Sequence, residues 1–243
     1  METPHTARAF DKDLAALAAS IEAMGAFATA QFDDATHALL DRDRALAERV
    51  IEQDRRLDAL RHDVSMAAAI VIAKRQPVAS DLNEILTDLR AAEHLERVGD
   101  LAKNIAKRAM TVANHMFPED VTARLEEFGN AASEQLRAAL SAYAHCDAEQ
   151  ALSVRIRDET LDQLHTQLFR ELVSRTAGDQ ANVIGFVHLL FCAKNIERIG
   201  DHATHIAEAA YLRATGHPPA SERRRLDESS TISDDGDTGL PKL

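Results

Sequence analysis

The chain has 243 residues, a formal net charge of −12 and two cysteines. The negative charge argues against a nucleic-acid-binding protein, because a phosphate backbone needs a basic face, whereas it suits a protein that binds cations. Cys146 and Cys192 lack CxxC spacing, so the sequence predicts neither a disulfide framework nor a zinc knuckle. We expect both thiols to be reduced and buried.

Composition and local pattern predict an all-α protein in the cytoplasm. The chain contains 9 glycines, 6 prolines and 4% aromatic residues, and it is rich in unbranched residues that lose little side-chain freedom in a helix. The N-terminus lacks the basic and then apolar order of a signal peptide. No stretch is expected to supply the ~20 apolar residues of a membrane span.

Six helices are predicted from apolar residues that recur at steps of three and four. Short polar turns or prolines separate them, as at Pro77, which cannot continue a helix. The predicted ranges are about 7–40, 44–74, 81–115, 120–144, 148–177 and 180–214.

Three of the predicted helix ends have capping residues. Ser80 or Asp81 is predicted to cap the third helix, with Glu84 in the capping-box position. Gly178 is predicted to end the fifth helix in a left-handed conformation, and Asp179 to cap the sixth.

The chain contains an internal repeat. The second and fifth predicted helices match at an offset of 104 residues, as Asp54 with Asp158, and the third and sixth match at an offset of 101 through the segment ERxGD. Each half therefore has a long helix, a helix with a DxxxD motif and a helix with an ExxxD motif. We predict two tandem three-helix bundles, over 1–116 and 117–215, followed by a disordered tail over 216–243.

Four acidic pairs form the candidate site. The two carboxylates of each pair lie four residues apart, on one helix face, and continue the apolar stripe that should face the core. Crowded carboxylates repel one another unless a cation or proton compensates them. Antiparallel packing would bring each DxxxD opposite its ExxxD, which predicts two metal sites suited to Mg²⁺, Ca²⁺, Mn²⁺ or iron. The predicted ligands are Asp54, Asp58, Glu96, Asp100, Asp158, Asp162, Glu197, Asp201 and His205.

Two histidines are candidate nitrogen ligands of the second site. His205 lies one turn beyond Asp201, and His165 lies seven residues after Asp158. The first half has Asn104 among the corresponding positions, so the two sites are expected to differ in metal preference. A histidine held by a neighbouring acid explains either residue equally well.

The ExxxD segments also contain arginines and glycines. Arg97 and Arg198 lie about 100° around the helix from the acids, so we expect them to pair on the flank. Gly99 and Gly200 lower helix propensity, which predicts the close approach of a neighbouring helix or a bound species.

Together these segments resemble the PhoU family over about residues 10–215. The resemblance rests on the two repeats, the QP turn before Asp81, and the segments LERVGD and IERIGDHATHIAE. The family commonly has arginine where this chain has Asn83 and asparagine where it has His205.

The resemblance implies two three-helix bundles that hold iron or zinc clusters at the acidic motifs and often form homodimers. It implies a regulator without catalytic activity, cytoplasmic and held at the inner membrane by its partners. These partners would be the ATPase of the phosphate ABC transporter and a sensor histidine kinase. Such a protein keeps the phosphate-starvation response off when phosphate is plentiful.

Two other functions stay open. A metal-free helical adaptor would use the acids to bind a basic partner, and metal analysis of protein purified without chelator separates it from a metalloprotein. A di-iron carboxylate oxidase would need Glu-x-x-His on two helices, whereas neither ExxxD motif has a histidine at the third position after its glutamate.

Overall fold

The structure, a computed structural model, describes residues 4–78, 80–180 and 182–220 together with Asp227 and Ser229. Within these residues it contains helices and no strand, which confirms the predicted all-α class. The helices are α1 (Pro4–Leu40), α2 (Arg44–Arg75), α3 (Ser80–Val112), α4 (Glu119–His145), α5 (Ala148–Gly178) and α6 (Val183–Thr215).

Equivalent turns connect the first two helices of each half. Asp43 caps α2 and Asp147 caps α5, each by accepting a hydrogen bond at 2.9 Å from the backbone N–H three residues ahead. Gln76 follows the last residue of α2 and takes a left-handed conformation with φ of 47°, immediately before Pro77. These short connections make successive helices pack antiparallel.

Some predicted helix ends were wrong. α3 already begins at Ser80, so neither Ser80 nor Asp81 lies at the cap position. Gly178 stays helical, and the following Asp179 has a φ of −131°, which is not left-handed. Asp179 accepts hydrogen bonds from the backbone and side-chain amides of Asn182, at 3.2 and 2.8 Å. It therefore closes a short turn before α6 rather than capping that helix.

The helices form two groups of three that share one core. α1, α2 and α3 pack on one another, as do α4, α5 and α6, while α3 contacts α6 and α1 contacts α4 between the groups. The main cluster of buried apolar residues draws on all six helices. Its largest side chains include Phe32, Phe128, Tyr143 and Phe186. The predicted architecture of two tandem three-helix bundles is confirmed.

α1 is more apolar than the sequence analysis allowed. Its segment Ala9–Leu40 is the one part of the described chain that is long and apolar enough to cross a membrane, by length and composition alone. A core helix passes the same test, and Ile21, Met24 and Phe32 are fully buried in this fold. The apolar face of α1 therefore packs in the core of the protein.

The two thiols lie in different environments. Both cysteines are free, and Cys192 is buried as predicted. Cys146 is exposed, contrary to the prediction, because it occupies the left-handed turn position that ends α4.

Candidate functional site

The first acidic cluster lies between α2 and α3 and is centred on a lysine. The Lys103 ammonium of α3 donates to Asp54 Oδ2 of α2 at 2.5 Å and to Asp100 Oδ1 at 2.7 Å. Burial by itself would lower the pKa of Lys103, but hydrogen bonds to Asp100 and Asp54 outweigh burial and raise that pKa. The lysine therefore stays charged and neutralises carboxylates of two helices at once.

Glu96 and Asp58 complete the first cluster. Partial burial, together with the carboxylates of Asp100 and Asp58, raises the pKa of Glu96, while Arg97 and Arg61 act in the opposite direction. Arg97 lies 3.5 Å from Glu96 and 3.3 Å from Asp100 on a largely exposed flank, as predicted. The structure thus brings the acids of the first DxxxD and ExxxD motifs together.

The second cluster, between α5 and α6, has a different set of hydrogen bonds. Asp158 is buried, and its Oδ1 accepts from Gln135 Nε2 of α4 and from Thr204 Oγ1 of α6, each at 3.0 Å. The Gln135 amide also donates to the carbonyl of Gly200 at 3.2 Å. Thr204 stands at the repeat position of Lys103, so a neutral hydroxyl replaces the ammonium ion.

Glu197 supplies the titrating carboxyl of the second cluster. The Lys194 ammonium lies 3.0 Å from Glu197 Oε2 and 3.1 Å from Asp227 Oδ2. Burial, followed by the carboxylate of Asp201, raises the pKa of Glu197 to about 7. This carboxyl therefore exchanges its proton near neutral pH, and a bound cation would favour the ionised form.

Asp227 reaches the second cluster from the C-terminal segment. Most of the predicted tail, 216–243, lies outside the described residues, but Asp227 Oδ1 lies 3.1 Å from His165 Nδ1. His165 is buried, and its Nε2 has no hydrogen-bond partner among the described residues. Burial lowers the pKa of His165 despite the nearby Asp227. The cluster therefore has a neutral imidazole with an available nitrogen at its edge.

His205 lies at the contact of α6 with α3. Its ring stacks on that of His94 with centroids 4.8 Å apart, and the ring of His202 lies 6.2 Å away. The Nδ1 atoms of His94 and His202 are 3.1 Å apart and share a hydrogen bond. The structure therefore groups His205 with two histidines, His94 and His202, instead of with His165.

Two imidazoles of this histidine group, those of His94 and His202, are uncharged at neutral pH. Burial, assisted by His205, lowers the pKa of His94 to about 4. Burial, assisted by His94 and His205, lowers the pKa of His202 to about 4. The neutral imidazole is the form that binds metal ions.

Gly99 and Gly200 bring the motif-bearing helices into close contact. A Cβ atom on Gly99 would lie 2.2 Å from Leu57 Cδ2, and one on Gly200 would lie 2.1 Å from Leu161 Cδ2. The predicted close approach of a neighbouring helix is confirmed in both halves. Each leucine lies between the two acids of a DxxxD motif, so the contact holds that motif level with its ExxxD partner.

Comparison with known proteins identifies the family. A family model described as the PhoU domain matches residues 21–109 and 125–210. The chain belongs to the PhoU family. The two matched segments correspond to the two repeats found in the sequence.

PhoU proteins of several bacteria are similar to this chain along most of its length. The "Phosphate-specific transport system accessory protein PhoU homolog" of Rhizobium meliloti (strain 1021) is 46% identical over 232 residues, covering 96% of this chain and 98% of the relative. The protein of the same description from Caulobacter vibrioides (strain NA1000 / CB15N) is 40% identical, covering 93% and 98%. The crystal structure of PhoU from Pseudomonas aeruginosa has a TM-score of 0.82 at 31% identity, covering 86% of this chain and 100% of that one.

A lysine ammonium lies beside carboxylates in each acidic cluster of this PhoU-family chain. In the second cluster Lys194 lies 3.0 Å from Glu197, whereas Asp158 accepts from the neutral donors Gln135 and Thr204. In the first cluster the Lys103 ammonium already lies between Asp54 and Asp100. A metal ion at that position would have to displace the lysine.

The sequence analysis missed several residues of the two clusters. Lys103 and Lys194 each lie three residues from an acid of their own ExxxD motif, so helical spacing gave a signal for both. Helical spacing gave no signal for Gln135 or Asp227, because Gln135 comes from α4 and Asp227 comes from the tail. Only the packing of separate segments brings them to the second cluster.

Proposed function

We propose that this chain is the accessory regulator of a phosphate-specific transport system. The observation that carries the proposal is 46% identity, over 96% of the chain, to a relative described as the accessory protein of that system. In this role the protein is a cytoplasmic homodimer held at the inner membrane by the transporter ATPase. It has no catalytic activity.

We further propose that the chain couples the transporter to a sensor histidine kinase and keeps the phosphate-starvation response off while phosphate is plentiful. An apolar groove of about 390 Å³ next to the second cluster supports a docking role. Val187 and Phe191, which line it, are 39% and 51% exposed, and His165 and Lys194 form its polar edge. Exposed apolar patches with a polar rim mark interaction sites, so we propose this groove as a docking surface for a protein partner.

The acidic clusters are proposed to hold metal ions. Iron or zinc clusters suit the carboxylate-rich donor sets, and manganese or magnesium are alternatives. A bound cation would neutralise the carboxylates and join α2 to α3, or α5 to α6. The residues proposed to hold it are Asp54, Asp58, Glu96 and Asp100 in the first cluster, and Asp158, Asp162, Glu197, Asp201 and His165 in the second.

One observation favours a second candidate, a metal-free adaptor. Lys103 and Lys194 already provide positive charge to carboxylates in both clusters. In that case the lysines stabilise the helix pairs, and the partners of the protein recognise its surface without any metal ion.

The test combines metal analysis with a signalling assay. Protein purified without chelator is analysed for iron, zinc and manganese, and a phosphate-starvation reporter is followed in cells that carry each variant. A pull-down against the transporter ATPase and the sensor kinase, with and without phosphate, accompanies both. The combined variant Glu96→Ala, Asp100→Ala, Glu197→Ala and Asp201→Ala should lose metal and switch the reporter on in plentiful phosphate.

A matched control and the possible outcomes make this test decisive. Glu93→Ala changes an exposed acid of α3 and should leave metal content and reporter unchanged. Metal-free wild-type protein that still represses the reporter would establish the adaptor. A reporter that stays repressed after deletion of the whole gene would refute the proposed role in the phosphate system.

A further inference from the structure

Three histidines from both repeats converge where α3 packs on α6. His94 lies on α3, and His202 and His205 lie three residues apart on one face of α6. One ring nitrogen of each lies within 4.8 Å of a ring nitrogen of the other two. None of these residues belongs to the DxxxD or ExxxD motifs, so the convergence is a feature separate from the acidic clusters.

The spacing of two of the nitrogens is close to that of a zinc site. Zn²⁺ binds imidazole nitrogen at 2.0–2.1 Å in a tetrahedral arrangement, which places two ligand nitrogens about 3.3 Å apart. The Nδ1 atoms of His94 and His202 are 3.1 Å apart. The ligand nitrogens of all three histidines lie within 4.8 Å of one another. The His205 ring stacks on His94 at an interplanar angle of 15°, so it would have to rotate to aim its in-plane lone pair at a shared ion.

Packing alone leaves one of these nitrogens unsatisfied. His205 Nδ1 is buried and has no hydrogen-bond partner among the described residues. Buried polar atoms in folded proteins are nearly always paired, since leaving one unpaired costs about 1–3 kcal/mol. A metal ion bound through this nitrogen would supply the missing partner. It would also replace the hydrogen bond between His94 and His202, because both of those rings would then offer a lone pair to the ion.

A cavity gives access to two of the three rings, those of His94 and His205. A pocket of about 250 Å³ is lined by His94 and His205 together with Thr87, Arg90 and Leu212. It has room for water or a small ligand in the fourth position of a metal ion. Such an open position is typical of zinc held by three histidines.

We propose that His94, His202 and His205 form a transition-metal site that takes Zn²⁺ or a similar divalent ion and joins the two repeats. One ligand comes from the first repeat and two from the second, so the bound ion cross-links α3 to α6. The contact between the repeats then depends on metal availability, independently of any metal in the acidic clusters.

Cobalt spectroscopy on the full chain tests the proposal. Co²⁺ in a four-coordinate, nitrogen-rich site absorbs visible light strongly, whereas Co²⁺ in a six-coordinate, oxygen-rich site absorbs weakly, so the acidic clusters contribute little signal. Chelator-treated protein titrated with Co²⁺ should develop the intense band at one equivalent, and Zn²⁺ should abolish it. His94→Gln and His205→Gln should weaken binding at this site at least about tenfold, the loss caused even by outer-shell substitutions.

Matched controls separate this site from the others. His188→Gln changes a partly buried histidine on α6 that contacts Arg108 instead, and it should keep the band. A variant of the first acidic cluster, Asp54→Asn with Asp100→Asn, and one of the second, Asp158→Asn with Glu197→Gln, should also keep it, so failure of the acidic sites and failure of this site are distinguishable.

Two further measurements test the proposal even if the glutamine variants misfold. His205→Asn is a smaller change that should also lose the band, and ¹⁵N spectra of the wild-type histidine rings should shift on adding Zn²⁺. An absent band in the wild type, or a band that persists in His94→Gln and His205→Gln, would overturn the proposal.

Discussion

Lys103 joins α3 to α2 through Asp54, with the ammonium nitrogen 2.5 Å from Oδ2 of the carboxylate. The same nitrogen lies 2.7 Å from Asp100, so one cation serves an acid from each motif of the first repeat. At the equivalent position of the second repeat, Thr204 donates to Asp158 without charge. The two acidic clusters are therefore chemically different although their motifs repeat.

Replacement of Lys103 by methionine should destabilise the metal-free protein. The change leaves Asp54 and Asp100 without their shared cation, and we expect the free energy of unfolding to fall by about 1–3 kcal/mol in urea. Adding Zn²⁺ should restore part of the loss, because the competing ammonium is gone. Lys107→Met, on an exposed face of the same helix, should change little. Equal stability of the two variants would contradict the role assigned to Lys103.

Alanine at Gly99 or Gly200 should separate the helix pairs. Each added Cβ would lie about 2 Å from a buried leucine methyl group, and overpacking of this kind costs about 1–3 kcal/mol, more than the helix propensity that alanine gains. Thermal unfolding measures the loss. Gly178→Ala meets nothing within 4 Å and should be neutral or slightly stabilising. A neutral Gly99→Ala would show that Leu57 moves aside freely.

Glu197 should make the stability of the chelated protein depend on pH. Its pKa rises from 4.5 to about 7 on folding, so between these values the folded state binds the proton more tightly than the unfolded state. The contribution of Glu197 to the free energy of unfolding therefore falls as the pH rises through this interval. Compared with Glu197→Gln, the wild type should lose up to about 3 kcal/mol between pH 4 and pH 8.

Urea unfolding of both proteins at several pH values in the presence of chelator measures this difference. Glu93→Gln, which removes an exposed carboxyl, is the control and should show a constant offset from the wild type. A constant offset for Glu197→Gln as well would mean that its carboxyl titrates normally.

Tyr143→Phe should weaken the junction of the two repeats. The Tyr143 hydroxyl of α4 donates to the fully buried Asp88 of α3, and Arg213 of α6 lies 3.8 Å from the same carboxylate. Loss of this donor should lower the free energy of unfolding by about 1–3 kcal/mol. Tyr211→Phe, at a partly exposed position, is the matched control. A similar, small effect in both variants would rule out a structural role for the hydroxyl.

Local regularity made several features predictable from the sequence. The helices follow from apolar spacing, and short turns at equivalent places in the two halves follow from the repeat. The meeting of DxxxD with ExxxD also follows, since short turns force antiparallel helices whose apolar stripes face each other. Gly99 and Gly200 indicated where that contact is closest.

Other features depended on how distant segments pack. Asp54 and Lys103 are 49 residues apart and His94 and His202 are 108 apart, so their contacts depend on the rotation and register of whole helices. The approach of Asp227 to the second cluster depends likewise on the path of the C-terminal segment.

The sequence by itself determined the six helices, the repeat and the pairing of acids within each helix, because these depend on spacing along one segment. Only the tertiary structure decided which cation or amide each acid meets and which helix each histidine of α6 faces. Those choices rest on contacts between segments, and periodicity along a single helix does not encode them.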